Sequence, residues 1–287
     1  MITLHDISLG FDEFHLVVEH LHLQAGLTLL VGRNGAGKST LLSLLATASM
    51  PEKGNIIYAG KTLETSLPLI RSHMGYMPSG LELYEEMTVE RQLGYLAELK
   101  GIYDKQEINI LLSEFELESF RKRKLRTLSQ GVKQRAAIAQ AFLGSPAFLL
   151  LDEPLNHLDI LERKRVISMV ARYAKRHLIV VATHELSEWG NEQVERILWL
   201  DRGRVHFYDT VERWMRHLPE RVWAGSVPLA ELESLDKQRI SQLKLLGNQA
   251  EIRLLARQAP DDRFVEVQPT LEDAYFIHTG TAISSFY

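Results

Sequence analysis

The chain has 287 residues, 45% hydrophobic and 24% charged, which allows about two domains and excludes wholesale disorder. Its 33 Lys and Arg against 37 Asp and Glu leave a formal charge of −4, without the basic excess that holds nucleic acid nonspecifically. The absence of Cys excludes disulfides, cysteine zinc sites, iron-sulfur clusters and thiol catalysis, and fits a reducing, cytosolic setting.

The opening segment has no basic patch followed by an apolar core, so no secretory leader is expected. The first forty residues alternate short apolar runs with turns, and residues 27–31 read as a buried strand entering a Gly-rich loop and a helix that opens at Lys38. Residues 82–143 have mostly helical spacing and no strand run, including a helix over 134–143, and predict a helical subdomain inserted into a sheet. Buried strands follow at 147–151 and 178–182, separated by a charged helix over 161–177. Both are far shorter than the ~20 apolar residues of a membrane-spanning helix. Strands alternating with helices predict a parallel sheet covered on both faces. Residues 197–200 and 205–208 flank Asp-Arg-Gly-Arg as a small hairpin. Beyond Pro219, the runs 222–229, 240–246, 251–255 and 264–267 read as a small α+β domain. The expected division is a larger domain over 1–215, with its helical subdomain at about 82–143, and an accessory domain over 216–287.

The segment Gly32-Arg33-Asn34-Gly35-Ala36-Gly37-Lys38-Ser39, followed by Thr40, fits the phosphate-binding loop pattern between a strand and a helix N-terminus. Backbone N–H groups converge there and the helix dipole favours an anion. Lys38 is expected at the β and γ phosphates of a nucleotide, and the Ser39 hydroxyl on Mg²⁺. Asp152 ends the apolar run Phe148-Leu149-Leu150-Leu151 at a strand's C-terminal edge, where a rigid carboxylate completes such a metal site. Glu153 follows, placed to polarise an attacking water while Asp152 organises the metal. The bland alternative for the pair is a solvated loop.

With these residues in series, the chain resembles the nucleotide-binding subunit of an ABC transporter: an α/β P-loop ATPase domain with an inserted helical subdomain. Leu128-Ser129-Gln130-Gly131-Val132-Lys133-Gln134-Arg135 resembles the family's signature, keeping Ser129 and Gly131. The resemblance implies that these two close on the γ phosphate held by a second copy, making a head-to-tail homodimer. Leu155-Asn156-His157-Leu158-Asp159 resembles the D-loop, which implies Asp159 at the dimer seam; as local chemistry Asp159 is also a helix cap. His184 resembles the switch histidine between γ phosphate and carboxylate. Phe11 resembles the aromatic that stacks on adenine, although Phe14 lies close by and either fits a core position. Gly75-Tyr76-Met77-Pro78 leads to Ser79 where the family has its metal-sensing glutamine, a departure that puts full Mg²⁺ coordination in question. Gln268-Pro269-Thr270-Leu271-Glu272-Asp273-Ala274 resembles an element closing ATPases of bacterial exporters with a separate membrane subunit; physically it is a helix capped by Thr270.

The resemblance implies ATP and Mg²⁺ as ligands, a transmembrane permease as partner and a cytoplasmic position on the inner face of the membrane. Glu153 and His184 are the expected catalytic residues. Two other readings stand beside it: a soluble ABC protein acting on ribosomes or nucleic acid, for which Asn156-His157-Leu158-Asp159 speaks, and a weakly active regulatory subunit of a heterodimer, for which Ser79 and the altered signature speak.

Overall fold

A computed structural model describes residues 1–11, 14–216 and 218–280. They fall into two compact units, one of residues 1–184 and 193–209, the other of 185–192 and 210 onward.

The first unit is built on a ten-stranded sheet. In chain order its elements are β1 (Ile2–Phe11), β2 (Phe14–Leu23), β3 (Gly26–Val31), α1 (Lys38–Leu45), β4 (Lys53–Tyr58), β5 (Lys61–Thr62), α2 (Leu63–Ser72) and β6 (Met74–Met77). There follow α3 (Val89–Leu99), α4 (Lys105–Glu114), α5 (Gln130–Ala141), β7 (Phe148–Asp152), α6 (Ile160–Ala174), β8 (Leu178–Ala182), β9 (Arg196–Asp201) and β10 (Arg204–Thr210). The strand order is β5-β4-β1-β2-β10-β9-β3-β8-β7-β6.

The parallel sheet read from the sequence is half of this one. β6, β7, β8, β3 and β9 are parallel neighbours, whereas β1, β2, β4 and β5 pair antiparallel. The parallel strands β3, β7 and β8 are buried at every position, as continuous apolar runs require. Strands β1 and β2 bury only one face, and their alternation slips near Asp6, which has φ +51°. Helix α1 lays Leu41, Leu42, Leu44 and Leu45 into the core that the two halves share. At ~0.8 kcal/mol per buried CH₂, this apolar face fixes α1, and with it the loop before it, far more firmly than helix propensity does.

The second unit contains α7 (Val211–Met215), β11 (Arg221–Pro228), β12 (Ile240–Leu246), β13 (Gln249–Ala256), β14 (Val265–Val267) and α8 (Leu271–Thr279). Its sheet runs β12-β13-β11-β14, antiparallel throughout, over a small core of Val227, Ile240, Ile252, Leu254 and Phe264. A short turn at 186–188, with buried Leu186 and Trp189, also belongs to this unit. Asp273 is 1% exposed and fully engaged: Ser241 donates to it, Arg253 Nη2 donates at 2.6 Å, and Thr270 N donates at 2.8 Å. Thr270 caps α8 in return by accepting from Asp273 N at 3.2 Å.

Candidate nucleotide site

The loop between β3 and α1 cannot be built without glycine at two positions. A Cβ at Gly32 would lie 2.2 Å from the Leu200 carbonyl, and one at Gly37, whose φ is +101°, 2.5 Å from the Phe14 ring. Gly37 is also the N-cap of α1, with no side-chain cap, so the first-turn N–H groups of Lys38, Ser39 and Thr40 are left for an anion. Lys38 is buried, and its ammonium donates to the Gly32 carbonyl at 2.7 Å and the Arg33 carbonyl at 3.3 Å. Burial lowers its pKa, while the Glu153 and Asp152 carboxylates pull it back up. An arriving phosphate compensates such a desolvated cation.

Asp152 ends β7 opposite Ala182 in the register and is 2% exposed. Its Oδ2 is buried and has no hydrogen-bond partner. A carboxylate oxygen in that position is costly unless something charged completes it. Asp152 and Ser39 line one cavity of about 480 Å³ with Lys38 and Thr40, so the oxygen donors present suit a hard cation such as Mg²⁺. Ser79 lines this cavity and also a neighbouring one of about 550 Å³, which it shares with Asp152, Glu153, Gln134 and His157.

Glu153 stands in the left-handed region at φ +50°, a conformation that costs about 1–3 kcal/mol for such a residue. Three contacts hold it: its N–H donates to the Ala182 carbonyl at 2.9 Å, Gln134 Nε2 donates to its carbonyl at 3.3 Å, and the His184 ring nitrogen Nδ1 lies 2.9 Å from Oε2. His184 follows β8 and is more than half exposed, whereas Glu153 is 16% exposed. The strained backbone therefore turns one carboxylate away from the buried Asp152 and onto an accessible imidazole.

Lys38, Ser39, Thr40, Asp152, Glu153 and His184 thus come together, with Asn34 and Gly35 on the same cavity wall. Gly32, Arg33 and Ala36 shape the loop. Phe11 is 51% exposed at the end of the β1–β2 hairpin, opposite Phe14 in register, and it is Phe14 that lines the cavity and packs on Gly37. Ser129, Gly131 and Asp159 stand apart from that cavity. Ser129 caps α5 by accepting from Val132 N at 3.4 Å, and Asp159 caps α6 in a reciprocal box with Glu162. A Cβ at Gly131 would sit 3.0 Å from the His157 carbonyl, so the α5 start and the loop before α6 approach at backbone distance. Gln134, which fixes the backbone at Glu153 and donates to Pro154 at 3.0 Å, is a residue that motif reading passed over. Its one sequence signal was membership of the segment around Ser129.

Residues 20–156 match the family model of the ABC transporter. The retinal-specific phospholipid-transporting ATPase ABCA4 of Bos taurus is 30% identical over 186 residues, covering 64% of this chain and 8% of the relative. A solved ATP binding subunit of an ABC transporter superposes with a TM-score of 0.69 at 28% identity, over 76% of this chain and 93% of that one. A dimeric cassette solved in a post-hydrolysis state with ADP and Pi shares the fold at a TM-score of 0.65 and 22% identity, over 74% of this chain and 99% of that one. The family match is carried by residues 20–156, and the α/β P-loop ATPase fold is that of the ATP-binding cassettes of ABC transporters. It spans less than a tenth of the ABCA4 relative's length. Among the described residues no helix is long and apolar enough to cross a membrane.

Proposed function

We propose that the chain hydrolyses ATP as the motor subunit of a transporter, closing on a second copy around two nucleotides and passing the motion to a separate membrane permease that exports its cargo. The observation that carries this reading is the Glu153–His184 contact of 2.9 Å beside a glycine-built loop and an unpartnered Asp152 oxygen. In this reading the loop 32–40 binds the phosphates through N–H groups and Lys38. Ser39 and Asp152 hold Mg²⁺, which when bound neutralises charge on the phosphate oxygens. Glu153 Oε2 accepts the proton of the attacking water, and His184 holds that carboxylate in place and meets the γ phosphate. Ser129, Gly131 and Asp159 act on the nucleotide of the opposite copy, which accounts for their distance from this chain's own cavity. Phe14 is the aromatic beside the loop, and Phe11 extends that face at the hairpin end. The site faces the cytoplasm, on the inner side of the membrane.

The test is ATP turnover and dimer formation with Mg²⁺ for wild type beside Glu153→Gln. Turnover in the wild type, with an inactive variant that still dimerises on ATP, supports the proposal. Unchanged turnover in the variant removes Glu153 from the chemistry. A second reading, a weakly active partner in a heterodimer, rests on Ser79, which lines both cavities at the position where the resemblance implies a metal-sensing glutamine. Turnover restored by Ser79→Gln in an otherwise slow chain favours it.

A further inference from the structure

On the outer face of the β1–β2 hairpin, His5 and His20 stand directly opposite each other in the antiparallel ladder. Both side chains are exposed, their ring centroids are 4.9 Å apart at a tilt of 50°, and Nδ1 of one lies 3.4 Å from Nδ1 of the other. Two imidazoles bound to one tetrahedral zinc ion at ~2.0–2.1 Å hold their nitrogens about 3.3–3.4 Å apart, whereas a square-planar pair needs about 2.8 Å. The spacing observed is the tetrahedral one. The backbone ladder sets it, since opposite residues in such a pair keep a fixed separation, and chelation therefore costs little reordering of the main chain.

The surroundings agree with a cation. Asp6 and Glu19, the residues next to the two histidines, are exposed carboxylates that raise the local concentration of positive ions. His22, two residues beyond His20, has its Nδ1 2.9 Å from the Thr3 hydroxyl and is occupied there. Among the described residues no three His, Asp or Glu side chains converge on one metal position, so the protein contributes two ligands.

We propose that His5 and His20 bind a zinc-type divalent cation through their Nδ1 atoms, with water in the two remaining positions, pinning β1 to β2. In the metal-free pair one Nδ1–H donates to the other nitrogen. Binding uses both Nδ1 lone pairs, so the donor ring carries its proton on Nε2 instead, and no redox step is involved. The pair is separate from Asp152 and Ser39, whose oxygens suit a harder ion.

The experiment titrates Zn²⁺ into the full chain and into His5→Asn and His20→Asn, by calorimetry, with Mg²⁺ as a parallel titrant. The wild type is expected to take up one more Zn²⁺ than either variant, or to bind it at least tenfold more tightly, and Mg²⁺ to show no such difference. Zinc taken up at His184 and Glu153 is common to all three chains and cancels. Imidazole ¹⁵N resonances of His5 and His20 in the wild type are expected to shift together on saturation. Equal stoichiometry and affinity in all three chains, or unmoved resonances, overturns the proposal, and neither readout depends on ATP turnover.

Discussion

Two aspartates buried to the same depth have opposite fates in the two units. Asp152 is 2% exposed and leaves a carboxylate oxygen without a partner, while Asp273 is 1% exposed and is saturated by Ser241, Arg253 and Thr270. A buried carboxylate with every lone pair engaged stabilises its unit and is costly to break. One with an oxygen free weakens its unit until a ligand arrives, and depth of burial alone does not separate the two cases.

Substitution of each carboxylate by the neutral amide sharpens the contrast. Asp152→Asn is expected to lower Mg²⁺-dependent ATP turnover about 100-fold or more, with little change in thermal unfolding, because relief of the unpartnered buried oxygen offsets the loss of negative charge beside Lys38. If that variant unfolds earlier than wild type, Asp152 is structural and the contrast fails. Asp273→Asn is expected to do the reverse, costing the second unit about 3 kcal/mol by leaving the Arg253 charge uncompensated, with turnover per folded molecule retained. Chemical denaturation followed by tryptophan fluorescence in a Trp199→Phe background reads that unit, where Trp223 donates to the Ala256 carbonyl. Thr270→Ala removes a single cap from α8 and should cost about 1 kcal/mol in the same assay.

A further effect is in pH. Burial pushes the Glu272 carboxyl up to about 7, with Asp273 adding to the shift and Arg253 opposing it. A carboxyl whose pKa is raised on folding binds more protons folded than unfolded. Its contribution is therefore fully present below its ordinary 4.5 and is lost as pH rises through about 7. Glu272→Gln should match wild type in thermal melts at pH 4.5 and exceed it at pH 8. Equal melts at pH 8 would show that the side chain is effectively in water.

The same unevenness governs what the sequence made legible. Strands β3, β7 and β8 were readable because both their faces are buried and they appear as unbroken apolar runs. The phosphate loop was readable because Gly32 and Gly37 are set by contacts that no other residue fits. β6 escaped notice because Met74-Gly75-Tyr76-Met77 has no β-branched residue; its glycine is required by the Ala141 carbonyl, 2.0 Å from where a Cβ would stand. The antiparallel half was obscured because the buried positions of β1 and β2 change parity at two consecutive exposed residues near Asp6 and Glu19, which breaks a period of two. Phe14 rather than Phe11 lines the cavity and meets Gly37, a difference that spacing to the glycines does not carry. The Glu153–His184 pairing joins two strand ends 31 positions apart (184 − 153) and was expected only through the family resemblance.

The second unit is discontinuous along the chain, since residues 185–192 belong with those after 210. During synthesis the segment carrying Leu186 and Trp189 leaves the ribosome well before its packing partners, immediately after His184 has emerged. At about 5–20 residues per second, the roughly ninety residues that separate Glu192 from the end of α8 keep that segment waiting for several seconds. His184 is thus followed by chain whose folded unit is completed only by the residues after 210. Early termination anywhere in β11 to α8 would therefore leave Leu186 and Trp189 exposed beside it, a handle for chaperones and proteases on every unfinished copy.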